Sequence, residues 1–256
     1  MGILNVGADS FSDGGMYSSV SAAVARAGEM LAQGADIIDI GAESTRPSAR
    51  ALGLEDELAA LLPKLKAVRE NFPSAPISVD TYKPEVARAA VEAGADIVND
   101  VYALRAPDGR YPAARAAADM GAPLVVAHCC RGETFSGGFF EFFMEGMKAR
   151  LDCALAESLP ACQIVADVGV GFGKTEEQNY ELVRRLPEVG ALGFPLLLGV
   201  SRKSMFASVA GESFALRDFA TAAVSVFAAL SRSCAILRVH DVAANLAAIK
   251  TALKLV

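Results

Sequence analysis

The chain has 256 residues, 53% of them hydrophobic and 21% charged, with a formal net charge of -6. That much apolar material supplies a large buried core and argues against disorder, while the acidic balance leaves no basic stripe for a nucleic-acid backbone, so an anionic ligand has to be met by locally placed Arg, Lys or helix N-termini. Five scattered cysteines make neither a disulfide framework nor a zinc pattern, and the lack of a basic leader or of a membrane-length apolar run of about 20 residues points to the cytoplasm.

In chain order, short runs rich in Val, Ile and Leu alternate with longer amphipathic stretches. Strands are expected at 2–5, 36–41, 77–80, 97–100, 124–127, 164–167, 196–199 and 236–239. Helices are expected near 18–32, 55–70, 84–93, 112–120, 140–158, 176–187, 215–230 and 243–254. Two helices run out through the same words, Gly34-Ala35-Asp36-Ile37 and Gly94-Ala95-Asp96-Ile97, in which glycine suits the left-handed position before a buried strand. Strands without polar alternation read as parallel and covered on both faces, which leaves a closed barrel or a doubly wound open sheet. Polar residues close nearly every strand instead of gathering at one switch point, and this favours an α/β chain folded as a (β/α)8 TIM barrel, one domain over residues 1–256.

Those strand ends carry Asn5, Glu43 with Thr45 and Arg46, Asp80, Asn99 and Asp100, His128, Asp167, Lys203, and Arg238 with His240. In a barrel they share one rim, where active sites of this architecture are built. Each taken alone fits a turn former or a helix cap equally well. The string Gly169-Val-Gly-Phe-Gly-Lys174 is neither a Walker loop nor a dinucleotide fingerprint, and by itself reads as a flexible turn. Ser201-Arg202-Lys203-Ser204 and Arg238-Val-His-Asp241 put cations beside expected helix starts after the seventh and eighth strands, a setting suited to phosphate. His128 with Cys129 and Cys130 lacks the converging ligands of a soft metal site, so a structural role is expected, and no GxSxG elbow supports a hydrolase.

The strings MGILNVGADSFSDGG, DIIDIGAESTRP, ISVDTYKPEVA, IVND, DVGVGFGK, LLGVSRKS and RVHD, in this order, resemble the signature of the dihydropteroate synthases. The resemblance runs along nearly the whole chain, and SFSDGG followed by ESTRP is its most specific pair. It implies a transferase that condenses 6-hydroxymethyl-7,8-dihydropterin pyrophosphate with p-aminobenzoate, giving 7,8-dihydropteroate and pyrophosphate. It places the pterin against Asp80, Asn99, Asp167 and Lys203, and the diphosphate against Asn5, Arg238 and His240, with Mg2+ as counter-ion at Asn5. Arg46, Pro47, Phe172 and Ser204 would receive p-aminobenzoate, Asp9, Thr45, Arg46 and Lys203 would act in catalysis, and the loops carrying Asp9 to Gly15 and Glu43 to Pro47 would close over the site. A homodimer through the last helices is also implied, as is sensitivity to sulfonamides. The chain departs from the family pattern at Gly7, Ala8, Ala42, Val168, Val200 and His128-Cys129-Cys130. A pterin-binding paralogue without turnover is therefore the alternative reading, and Arg238 and His240 speak against a methyl-transferring barrel.

Overall fold

Eight parallel strands are hydrogen-bonded strictly in chain order. They are β1 (Gly2–Asn5), β2 (Ile38–Gly41), β3 (Ile77–Asp80), β4 (Ile97–Asp100), β5 (Leu124–Ala127), β6 (Ile164–Asp167), β7 (Leu196–Leu198) and β8 (Ile236–Leu237). The structure is a computed structural model that describes residues 1–7, 19–44, 51–103 and 108–256. The sheet curls shut at the last seam, where Gly2 bridges Val239 in parallel, Ile3 N donates to Val239 O at 3.0 Å and Val239 N to Met1 O at 3.0 Å. This closes the TIM barrel and leaves no exposed edge.

Around the barrel lie α1 (Val20–Ala32), α2 (Leu54–Asn71), α3 (Pro84–Glu92), α4 (Pro112–Met120), α5 (Phe139–Ala156), α6 (Glu176–Arg184), α7 (Leu186–Val189), α8 (Ala207–Ala210), α9 (Phe214–Leu230) and α10 (Val242–Ala252). Local chemistry fixes their starts. Thr175 and Gln178 form a reciprocal capping box on α6, and the side chains of Ser19, Ser213 and Asp241 accept from backbone amides of α1, α9 and α10. Proline opens α3 and α4, where its missing N–H costs nothing. The two repeated endings behave alike: Gly34 and Gly94 take φ of +97° and +111°, while Ala35 N reaches Met30 O and Ala95 N reaches Ala90 O, both at 2.9 Å.

The strands are buried on both faces as expected, and Leu4, Ile38, Ile40, Ile77, Val79 and Val98 have no exposure at all. Burying one such side chain is worth about 1.5–3 kcal/mol, so the shared core explains why strands this short persist. Several bounds differ from the sequence expectation: β2 begins at Ile38 and not at 36, β7 ends at Leu198 and not at 199, and two larger differences have a plain cause. The helix expected over 176–187 breaks at Arg185, and Pro187 sits in the first turn of a new one, because proline cannot continue the hydrogen-bond ladder. The eighth strand keeps only two ladder residues, its continuation at Val239 serving the closing bridge. Among the described residues no single helix is long and apolar enough to cross a membrane; the pair Ser204–Ala210 and Phe214–Leu230 passes only together and is bent by 105°.

Candidate functional site

The strand order carries Asn5, Asp80, Asn99 and Asp167 to the carboxyl ends of β1, β3, β4 and β6, with Lys203 and Arg238 just beyond β7 and β8. Asp80, Asn99 and Asp167 are buried, and Asn99 has no exposure. Arg238 spans the mouth of the barrel: its Nη2 lies 2.6 Å from Asp80 Oδ2, and its Nε donates to Asp39 Oδ2 at 2.6 Å. Asn99 Nδ2 donates to both oxygens of Asp39, at 3.2 and 3.4 Å, while Asn99 Oδ1 is buried with no partner among the described residues. Asp167 Oδ1 accepts from Gly169 N at 2.8 Å. Lys203 Nζ donates to Val170 O at 2.5 Å and lies 4.6 Å from the centre of the Phe172 ring.

These charges act on one another. Burial pushes the Asp80 carboxyl up to about 7, against the pull of Arg238 and with help from the neighbouring carboxylates Asp39, Glu57 and Asp100. Burial likewise raises Asp167, with Lys203 the strongest opposing charge. It brings Lys203 down to about 8, although Asp167 pulls the other way. The result is a desolvated cup holding carboxylate acceptors, one amide acceptor, one ammonium and one guanidinium. Such a cup suits a flat heterocycle edged with both donors and acceptors.

The seventh and eighth strand ends meet through His240, whose Nδ1 lies 2.8 Å from Ser201 Oγ, and Ser201 Oγ also accepts His240 N at 3.1 Å. Phe172 forms a small apolar cluster with Val101, Ala127 and Cys129, with Tyr102 packed against it. Arg131 Cζ lies 5.2 Å from the Phe172 ring and 5.4 Å from the Tyr102 ring, and Arg131 Nη1 donates to Tyr102 Oη at 3.0 Å. Ser204 is exposed and opens only a short turn, Ser204–Phe206, that runs into the four residues of α8. Asp9, Thr45, Arg46 and Pro47 lie outside the described residues. Next to them, Glu43 Oε2 accepts from Leu52 N at 3.1 Å and pairs with Lys83 Nζ at 2.5 Å, which also pairs with Glu57. Burial alone would lower Lys83, but its hydrogen bonds to Glu43 and Glu57 prevail and raise it.

Two readings need correction, those of Asp100 and of the glycine-rich string. Asp100 turns away from the cup: its carboxyl accepts from Tyr102 N and Ala103 N at 2.9 Å each and from Tyr111 Oη at 2.9 Å, so it is the turn former that the plainer view allowed. His128 is fully buried with its ring 4.7 Å from that of Phe143, in keeping with the structural role expected of it. The glycines of Gly169-Val-Gly-Phe-Gly-Lys174 serve packing as well. Gly169 and Gly173 have φ of +65° and +77°, and a Cβ there would fall 2.0 Å from His128 O and 2.5 Å from Arg131 N. Lys174 Nζ then binds His128 O at 2.8 Å and Gly169 O at 2.7 Å, making this a locked turn. Asp39 and Lys83 were not singled out from sequence. A carboxylate inside the apolar run Ile37-Ile38-Asp39-Ile40 is the signal that could have found Asp39, because a buried charge needs partners.

The model of the pterin-binding enzymes matches residues 1–240. The dihydropteroate synthase of Streptococcus pyogenes serotype M3 is 44% identical over 247 residues, covering 96% of this chain and 91% of that protein. The solved structure of dihydropteroate synthase from Clostridium difficile in the presence of pteroic acid has a TM-score of 0.90 at 38% identity, over 100% of this chain and 95% of that one. A Yersinia pestis dihydropteroate synthase in a sulfonamide drug complex has a TM-score of 0.91 at 33% identity, over 100% and 93% of the two chains. With its motifs, barrel and polar cup in agreement, the chain belongs to the pterin-binding enzymes and, within them, to the dihydropteroate synthases.

Proposed function

We propose that the cup receives 6-hydroxymethyl-7,8-dihydropterin pyrophosphate and joins it to p-aminobenzoate in the cytoplasm, releasing 7,8-dihydropteroate and pyrophosphate. The observation that carries this reading is the convergence of Asp80, Asn99, Asp167, Lys203 and Arg238 on one desolvated mouth. A pterin edge offers two parallel N–H donors, which the Asp167 carboxylate accepts as a pair, while Lys203 donates to ring acceptors. The C–O bond between the exocyclic methylene and the diphosphate breaks, the amine forms the new C–N bond, and the amine proton leaves to solvent. No protein nucleophile is required. The Phe172 face and the Arg131 cation near it suit an aromatic carboxylate, with Ser204 beyond them at the open side.

The diphosphate falls to Asn5 and His240, with Arg238 contributing where its two carboxylates leave it room. Among the described residues no group of three or more His, Cys, Asp or Glu gathers for a metal. A single amide oxygen at Asn5 therefore fits a hard cation such as Mg2+ that keeps most of its shell as water and phosphate. When bound, that ion would neutralise charge on the departing pyrophosphate. Asp9, Thr45, Arg46 and Pro47 remain the proposed closing residues. Pairing as a homodimer is proposed through α9, where Leu216, Phe219, Phe227 and Leu230 are exposed.

Incubating the protein with both substrates and Mg2+ while following pyrophosphate tests the reading. Release that requires p-aminobenzoate and is inhibited by a sulfonamide supports it. Calorimetric pterin binding without turnover selects the inactive paralogue, which the changes at Gly7, Ala8 and Val168 favour.

A further inference from the structure

Arg202 stands immediately before Lys203 and takes φ of +59°, in the left-handed region that side chains seldom enter. It is the third residue of a turn that Lys203 N closes on Val200 O at 3.1 Å. A turn with positive φ at that place ordinarily has glycine or asparagine there. The hand of the third residue decides the direction in which the fourth one leaves. Here the fourth is Lys203, which goes on to reach Val170 O and the Phe172 ring.

The conformation is held from α9, three times over. Asp218 receives the guanidinium side-on, with Arg202 Nε donating to Oδ1 and Nη2 to Oδ2, both at 2.9 Å. Arg217 Nη1 donates to Arg202 O at 3.3 Å. Arg202 N donates to the Oγ1 of fully buried Thr221 at 3.4 Å, and that hydroxyl donates to Arg217 O at 2.7 Å. The Arg202 and Asp218 side chains are only 18% and 17% exposed, so this two-pronged pair is shielded from the screening that weakens surface ion pairs. On the other side of the turn, Ser201 is fastened to His240. A costly backbone conformation persists only where its surroundings over-determine it.

We propose that Asp218 is a positioning residue: by gripping the Arg202 side chain it keeps the residue ahead of Lys203 left-handed, and so aims Lys203 into the cup without touching a substrate. The inference rests on the pterin reading, in which Lys203 donates to the ring, and adds to that reading a carboxylate on a helix outside the cup. Released from Asp218, Arg202 relaxes toward negative φ and the turn no longer delivers the ammonium to the pterin.

Glycine takes φ of +59° at no steric cost, whereas alanine does not, so the two separate aim from mere attachment. The experiment compares Asp218→Ala, Asp218→Ala with Arg202→Gly, and Asp218→Ala with Arg202→Ala. Calorimetry reads the affinity for 6-hydroxymethyl-7,8-dihydropterin pyrophosphate in the presence of Mg2+, with melting temperatures as the folding control. We expect affinity to fall about tenfold in Asp218→Ala and in the alanine pair, and to return to within about threefold of wild type in the glycine pair. Unchanged affinity in Asp218→Ala, or glycine and alanine pairs that bind equally, overturns the inference. If Asp218→Ala does not fold, the two pairs are read alone: tighter binding by the glycine pair supports the inference and equal binding overturns it. Wild-type protein that binds no pterin defeats the pterin reading itself, an outcome distinct from equal binding by the two pairs.

Discussion

Arg238 Nη2 sits 2.6 Å from Asp80 Oδ2, a contact that joins the end of the last strand to the end of the third across 158 positions of sequence. The same guanidinium serves Asp39, so one cation balances two buried carboxylates. Replacing it by Arg238→Gln leaves both carboxylates without their counter-charge, which should cost about 3–5 kcal/mol in urea denaturation. Because Asp80 already titrates near 7, the folded state holds a proton there that the unfolded chain, with an ordinary aspartate, releases near 4. Stability from this group is fully present below that lower value and is lost as pH rises through 7. The penalty of Arg238→Gln should therefore be larger at pH 8 than at pH 5.5; a penalty independent of pH would contradict the pairing.

Asp167→Asn removes one acceptor from the pair offered to the pterin edge. The expected loss of pterin affinity is about 2 kcal/mol, or roughly thirtyfold. Calorimetry reads it directly, and unchanged affinity would remove Asp167 from the ligand contacts.

Phe172→Ala strips the aromatic face next to Arg131 and Lys203. The KM for p-aminobenzoate should rise about tenfold, while calorimetric pterin affinity stays within about twofold of wild type. A matching fall in pterin affinity would mean that Phe172 supports the pterin and not the aromatic acid.

His128 is held down to about 2, first by burial and then by the positive charges of Lys174 and Arg150. It stays neutral in the fold while the unfolded chain binds a proton below about pH 6.5. Stability from this group is present above that pH and is lost as pH falls, by about 1.4 kcal/mol per unit. On going from pH 7.5 to 5, His128→Leu should therefore lose about 2 kcal/mol less stability than wild type, as measured by urea denaturation at the two pH values. Parallel pH slopes would show that the imidazole takes up its proton in the fold.

Much of this architecture could be read from the chain because the elements are locally consistent. Leu124–Ala127 is an unbroken apolar run, Ile77–Asp80 carries two β-branched residues between turn signals, and both form strands with the expected bounds. Asp80, Asn99, Asp167, Lys203 and Arg238 were legible as site candidates because a polar residue at the end of a buried strand stands out. Asp39 did not stand out, since a residue in mid-strand looks structural until its partners from β4 and β8 are seen. Gly169 and Gly173 misled in the opposite direction: a glycine-rich string looks flexible, and only the nearby backbone of His128 and Arg131 shows that the turn is locked. His128 and Asp100 show that a shared place in the strand pattern does not fix which way a side chain turns.

The account stands or falls on coupled chemistry at the barrel mouth. The most direct measurement is detection of 7,8-dihydropteroate by mass, alongside pyrophosphate, from wild-type protein given the pterin pyrophosphate, p-aminobenzoate and Mg2+. Equal amounts of the two products, both lowered by up to about thirtyfold in Asp167→Asn at subsaturating pterin pyrophosphate, is the predicted result. Tight calorimetric binding of the pterin with no dihydropteroate formed would contradict it.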